Sequence, residues 1–301
     1  MAKIVVIGSM NMDLVVQTDE IPKVGETVLG NALLQIPGGK GANQGVAIAK
    51  LQNDITFLGK VGKDGFGDEL LLSMESAGVH TEYIGREIVS TGIAIINVDK
   101  NGNNNIVVIP GANEKVDEEY LNKHSKVIKD SEIVVFQLEI PLETVKVGLK
   151  MAKNLGKITI LNPAPAMELD DEIIKNIDIL IPNEHELERM SKIKVTDEDS
   201  ILEASRQLIN KGIKQIIVTL GSRGAMYIDK SGHAFFKAHK VKAVDTTAAG
   251  DSFIGGFVSS YIEDKDINKA IDMGQRTAAL AIQKVGAQSS LPTKEEVENF
   301  K

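Results

Sequence analysis

Short apolar runs alternate with longer amphipathic stretches along most of the chain. Lys3–Ile7, Ile133–Leu138, Ile158–Leu161, Ile177–Ile181 and Ile216–Leu220 are rich in β-branched residues. Between such runs, Leu142–Asn154 and Ile201–Lys211 repeat their apolar residues at helical spacing. Runs that are apolar throughout suit strands buried on both faces, and the helical stretches supply the crossovers of a parallel sheet. The pattern predicts an α/β protein with a three-layer core and a mostly parallel central sheet.

Two segments break this rhythm. Gly92–Val98 and Ile106–Ile109 flank a polar stretch containing Asn101-Gly102, a strong hairpin signal. Leu14–Thr18 and Thr27–Ile36 also read as strands, with polar residues interleaved. Neither segment contains a crossover helix, so together they predict a small antiparallel sheet. That sheet is expected to form a lid from two insertions, at about residues 12–37 and 90–110. Two exposed hairpins without function fit the same pattern. No internal repeat or long linker divides the 301 residues, so one domain over 1–301 is expected.

Composition narrows the function. Lys and Arg number 34 against 42 Asp and Glu, a net charge of −8, which opposes a duplex-binding face. Aromatic residues are 4% with no Trp, too few to stack bases along a single strand. The chain has no cysteine, so disulfides, thiolate metal sites and a cysteine nucleophile are excluded. No apolar run is long enough to span a bilayer, and the N-terminus lacks the features of a signal peptide. A cytoplasmic protein that binds neither nucleic acid nor membrane is expected. The five histidines form no His-x-x-x-His pair, and no Gly-x-Ser-x-Gly or Gly-x-Gly-x-x-Gly motif follows a strand.

Two glycine-rich segments carry the candidate chemistry. In Pro37-Gly38-Gly39-Lys40-Gly41-Ala42-Asn43-Gln44, three glycines around a lysine let backbone approach a ligand closely. A helix from about Ala42 to Leu51 follows, so Lys40 and Asn43 point polar groups into its N-terminal region. The spacing is not that of a Walker A loop, and a plain glycine-rich turn accounts for the same residues. The second segment, Asp245-Thr246-Thr247-Ala248-Ala249-Gly250-Asp251, leads into an apolar helical face of Phe253, Ile254, Phe257, Val258 and Tyr261. Its small residues form a loop at a positive helix end, where the N–H groups of Ala248, Ala249 and Gly250 suit an anion. Asp251 then stands beside that anion as a base, or else serves only to cap the helix.

Taken together, the two segments resemble the two signatures of the pfkB, or ribokinase-like, family of carbohydrate kinases. Gly8–Asp13, Asn183-Glu184-His185-Glu186, Thr219–Gly224 and Gly286–Gln288 extend the likeness along the chain. The resemblance implies transfer of the γ-phosphoryl group of ATP to a sugar, with ribose phosphorylated at O5 the expected reaction. Deoxyribose, fructose, a nucleoside or a keto-deoxy acid are the alternative acceptors, and a non-catalytic sugar sensor is an alternative function. By the same resemblance, Asp251 is the general base, and Ala248, Ala249 and Gly250 complete an anion hole. Asn11, Asp13, Gly39, Lys40, Asn43 and Glu139 hold the sugar. Asp13 and Glu139 are expected just after apolar strands, where α/β sheets place ligands. Asn183, Thr219, Leu220, Gly221, Ser222, Arg223, Gly224, Gly250 and Gln275 line the nucleotide site. Asp245 and Thr247, with Ala281, Lys284, Gly286 and Ser290, hold a monovalent cation, K⁺, while Glu186 organises Mg²⁺ through water. A homodimer joined through the lid is implied as well.

Overall fold

The computed structural model describes residues 3–300. The chain opens with β1 (Ile4–Ile7) and passes directly into β2 (Asn11–Thr18) and β3 (Gly30–Gly38). Helix α1 (Lys40–Lys50) returns it to β4 (Ile55–Leu58). Next come β5 (Lys60–Gly62), α2 (Gly65–Ser76), β6 (Gly85–Glu87), β7 (Gly92–Val98) and β8 (Asn104–Ile109). Two short helices, α3 (Glu118–Lys123) and α4 (Ser125–Asp130), lead to an alternating stretch. It runs β9 (Ile133–Phe136), α5 (Leu142–Asn154), β10 (Ile158–Leu161), α6 (Asp171–Ile174), β11 (Ile179–Leu180), α7 (Glu184–Ser191), α8 (Glu198–Asn210) and β12 (Gln215–Thr219). The chain ends with the hairpin β13 (Gly224–Asp229) and β14 (His233–Lys237), then α9 (Ala249–Asp264), α10 (Ile267–Ala281) and α11 (Lys294–Glu298).

Among the described residues, eight strands form the central sheet in the order β14-β13-β12-β11-β10-β9-β1-β4. The strands from β4 to β12 are parallel, and β13 and β14 add an antiparallel edge. β1 shows why three layers form. Its four residues are all buried, and alternate ones serve opposite faces. Ile4 and Val6 pack with α1, α9 and α10, whereas Val5 and Ile7 join the cluster under α5 and α8. No helix among the described residues is long and apolar enough to cross a membrane.

The second sheet has the order β3-β2-β7-β8 and comes from the two expected segments. It corrects one expectation, because it is mixed rather than antiparallel. β2/β3 and β7/β8 pair antiparallel, but β2 and β7 run parallel, from Asn11 opposite Gly92 to Gln17 opposite Val98. Each segment folds back on itself locally, while α1, β4 and α2 form the long crossover between them. A parallel pair needs such a crossover.

Candidate active site

Three residues, Gly8 to Met10, separate β1 from β2, so the chain turns from the core sheet straight into the lid. Asp13 therefore lies within lid strand β2, not just beyond an apolar core strand as the sequence suggested. It folds over Gly38, where an added Cβ would sit 2.4 Å from Asp13 Oδ2. Glu139 does follow a core strand, β9. Its Oε2 accepts from Ser9 Oγ at 2.6 Å and from the Lys40 N–H at 3.0 Å.

That second bond anchors the start of α1. Gly39, the N-cap, supplies no side chain, so outside groups take up the first N–H groups of the helix. Glu139 takes that of Lys40, Ser9 Oγ that of Gly41 and the Ser9 carbonyl that of Ala42. On the lid side, buried Asn113 clasps both the N–H and the carbonyl of Met10 at 3.0 Å each, and donates to Asn11 Oδ1 at 2.8 Å. Asn11 is thereby left with its amide nitrogen free to donate.

Asp251 lies in the first turn of α9, with only 7% of its surface exposed. Asn43 Nδ2 donates to its Oδ2 and Gln44 Nε2 to its Oδ1, both at 3.0 Å. Burial raises the Asp251 pKa above the ordinary carboxylate range; Lys40, Asn43 and Gln44 act against that rise, and Glu139 adds to it. Asp13 is pushed up to about 7 by burial and by the charges of Glu139 and Asp251, against the pull of Lys40. Burial opposes the charge on Lys40 itself, but Asp251, Glu139, Glu186 and Asp13 outweigh it and lift its pKa. The centre is thus a cluster of carboxylates around one ammonium group.

The loop before α9 differs from expectation in one donor. The Ala249 N–H bonds to the Thr246 carbonyl at 3.1 Å, because the turn entering the helix closes on it. Ala248, Gly250 and Asp251 keep N–H groups without a partner among the described residues. These point from a helix N-terminus, where the peptide dipoles favour an anion.

On the other side of the sheet edge, Asn183 and Thr219 form a parallel bridge. Asn183 caps α7 through a reciprocal box with Glu186, whose two carboxylate oxygens accept from the Asn183 N–H at 2.8 Å and Nδ2 at 3.0 Å. Gly221–Arg223 form one 3₁₀ turn after Leu220, and Arg223 reaches Glu184 at 2.5 Å. Gly224 opens β13. Gln275 is buried in α10, and its nitrogen donates to the Phe236 carbonyl at 3.0 Å, tying that helix to β14.

Asp245 binds two loops together. Its Oδ1 accepts from the Thr247 N–H and hydroxyl, and its Oδ2 accepts from the Gly286 N–H at 2.9 Å. The segments bearing Thr247 and Lys284–Ser290 therefore meet around one carboxylate, and every candidate donor there is an oxygen. This set suits a hard cation. Lys50 secures the same loop, donating to the Gln288 and Leu291 carbonyls at 2.9 and 3.0 Å.

Reading motifs takes in Ser9 and Gln44 without giving them a role, and it does not find Asn113, Gln137, Asn162 or Lys50. Ser9, Gln137 and Asn162 do share one signal: each follows closely on the end of a parallel strand, at the edge where such sheets bind ligands.

The mostly parallel sheet covered on both faces, the small second sheet and the carboxylate at a helix N-terminus are the setting a phosphotransferase needs. Residues 1–294 match the model of the pfkB family of carbohydrate kinases. The chain belongs to that family and is an ATP-dependent sugar kinase. It is 41% identical to a ribokinase of Staphylococcus aureus over 98% of both chains. It is 39% identical to a deoxyribokinase of Salmonella typhi, over 99% of this chain and 98% of that one. Ribokinase of Arabidopsis thaliana, solved with ribose and ATP, superimposes with a TM-score of 0.93 at 30% identity, covering 99% of this chain and 98% of that one.

Proposed function

We propose that the enzyme transfers the γ-phosphoryl group of ATP to O5 of D-ribose, giving D-ribose 5-phosphate. The observation that carries this reading is the buried Asp251 carboxylate, held by two amides beside unpaired N–H groups at the start of α9. Asp251 accepts the proton of the sugar hydroxyl as it attacks. The N–H groups of Ala248, Gly250 and Asp251 stabilise the charge on the phosphoryl oxygens. Asn11, Asp13, Gly39, Lys40, Asn43 and Glu139 hold the sugar, and Asn183, the 219–224 loop and Gln275 border the nucleotide. Glu186 would organise Mg²⁺ through water, and the ion would supply positive charge to the phosphates of ATP. Asp245 and Thr247, with carbonyls near Ala281, Lys284, Gly286 and Ser290, would hold K⁺, which would fix the conformation of the loop before α9. The chain works as one unit, and a cytoplasmic location belongs to this reading.

The Salmonella likeness keeps 2-deoxyribose as the second acceptor. A site that hydrogen-bonds a hydroxyl leaves its own polar groups unpaired when the hydroxyl is missing. One such bond to a charged group corresponds to roughly 10–100-fold in rate. Ribose is therefore expected to exceed 2-deoxyribose by that factor in kcat/KM, with faster turnover in K⁺ than in Na⁺. ADP release measured over a sugar panel in both buffers checks both points. A better rate with 2-deoxyribose sinks the ribose assignment, and equal rates in the two salts remove the cation site.

The outer strands of the lid expose Leu33, Ile106, Val107 and Val108, with Leu29 exposed just before β3, an apolar surface that water does not favour. A small sheet of this kind is marginal unless its free face is covered. A second lid is the cover proposed here, giving a homodimer. Light scattering at micromolar concentration is expected to return twice the chain mass, and a monomer there would count against the interface.

A further inference from the structure

Gln44 follows the sugar-side residue Asn43, yet its side chain belongs to a buried chain of amides that ends on Asp251. Gln44 and Gln137 are fully buried and Asn162 is 8% exposed. Asn162 Nδ2 donates to the Ile181 carbonyl at 3.1 Å. Gln44 Nε2 donates both to Asn162 Oδ1 at 3.2 Å and to Asp251 Oδ1 at 3.0 Å. Gln137 Nε2 donates to Gln44 Oε1 at 2.6 Å.

The polarity of this chain follows from chemistry. A backbone carbonyl only accepts, so the nitrogen of Asn162 must face Ile181 and its oxygen must face Gln44. Gln44 must then present its nitrogen to that oxygen, and the second hydrogen of the same nitrogen falls to Asp251. Turned over, Gln44 would set its carbonyl against both a carboxylate and another carbonyl. The amide that meets Asp251 is therefore a fixed donor, and its orientation is anchored at the end of β11, on a different element from the base.

We propose that Gln44, oriented by Asn162 and Gln137, is a positioning residue that keeps the Asp251 carboxylate ionised and fixed in direction for proton transfer. The proposal rests on the reading of Asp251 as general base. A donor to a carboxylate favours its charged form, and burial disfavours it. The charged groups facing Asp251 are Lys40 on α1, Asp13 on β2, Glu139 after β9 and Glu186 on α7. Only Lys40 is a cation, so the amide donors join it and the positive end of α9 as the counterweight to burial and to three carboxylates.

The test is kcat against pH at saturating sugar and ATP for the full-length protein, its Gln44→Met variant and its Asn162→Leu variant. Met fills the space of Gln44 without a donor. The acidic limb of the Gln44→Met profile is expected to move up by about one pH unit, with activity returning toward the parent at high pH. Asn162→Leu, which removes only the anchor, is expected to move it less in the same direction, and it decides the matter if Gln44→Met does not fold. Asp13, pushed up to about 7 by burial and in part by the Asp251 charge, makes no hydrogen bond to Gln44 and would move down if Asp251 lost charge, so an upward shift reports on Asp251. Folded variants whose kcat falls equally at every pH, with the limb unmoved, overturn the relay. Asp251→Asn in parallel separates the two claims. If that variant stays active, the base assignment fails and the relay with it; if it is inactive while the Gln44 limb stays in place, only the relay fails.

Discussion

An Asp251→Asn enzyme is expected to lose at least about 10²-fold in kcat while melting at or above the temperature of the parent. The two halves of that result have separate causes. Asn keeps the shape of the side chain, but it cannot accept a proton. Stability holds because the native charge is itself a burden. A carboxyl whose pKa is higher in the folded state than in the unfolded chain weakens folding at pH values above the unfolded pKa, where ionisation is favoured more in the unfolded state. Asp251 has such a raised pKa, chiefly through burial. Asn removes that burden, and against it stands one new conflict, since its nitrogen must face either Asn43 or Gln44. Steady-state kinetics and a thermal melt on the same preparation check the prediction. A fully active variant would mean that Asp251 only ties α9 to α1 through Asn43 and Gln44, since its carboxylate makes no capping bond.

Gly39→Ala is expected to act on both stability and sugar binding. Gly39 has φ +88 and ψ 132, a conformation that side chains rarely adopt. An added Cβ would lie 2.7 Å from the Asn11 nitrogen and 2.9 Å from Met10 Cα, and backbone atoms cannot swing aside. Strain and overpacking together should cost about 2–5 kcal/mol. Gly25 provides the control. Its φ is +86, but a Cβ there meets nothing within 4 Å, so Gly25→Ala carries only the conformational penalty of about 1 kcal/mol. Denaturant unfolding of the pair isolates the steric part. KM for the sugar should rise in Gly39→Ala alone, because the displaced backbone carries Asn11 on one side and Lys40 on the other. Equal unfolding midpoints for the two variants would show that β2 yields to the added methyl group.

How far the sequence reveals the molecule differs from one element to the next. Leu142–Asn154 and Ile158–Leu161 occur as the pattern predicts them, because each buries a regular apolar face against the same sheet. Ile55–Leu58 is not recognised as a strand, since three apolar residues and a threonine beside a turn carry no period of their own. His233–Lys237 lies at the sheet edge with residues alternately exposed, leaving too few apolar positions to mark it. The parallel pairing of β2 with β7 has no local signature, because the paired residues lie about eighty positions apart. Within the site, Gly39, Lys40 and Asp251 stand in segments whose small residues are unusual enough to notice. Gln137 and Asn162 are single amides after strands, indistinguishable in sequence from loop residues until the sheet sets them beside Gln44. Ala249 shows the opposite failure: the small-residue loop is legible, but which of its N–H groups the turn consumes is not.

The bonds that hold Asp251 also bear on how the protein is made. Asn43 and Gln44 lie 208 and 207 residues before the aspartate they hold. The chain between them carries every strand of the central sheet except β1. Contacts of such long sequence separation form slowly, because the chain between them must be ordered first. On a ribosome, the sugar-side segment emerges early and must wait, with its polar groups in water, for α9 to be synthesised. Enzymatic activity in this protein is thus a late event of folding, and its appearance marks completion of the core rather than of any one part of it.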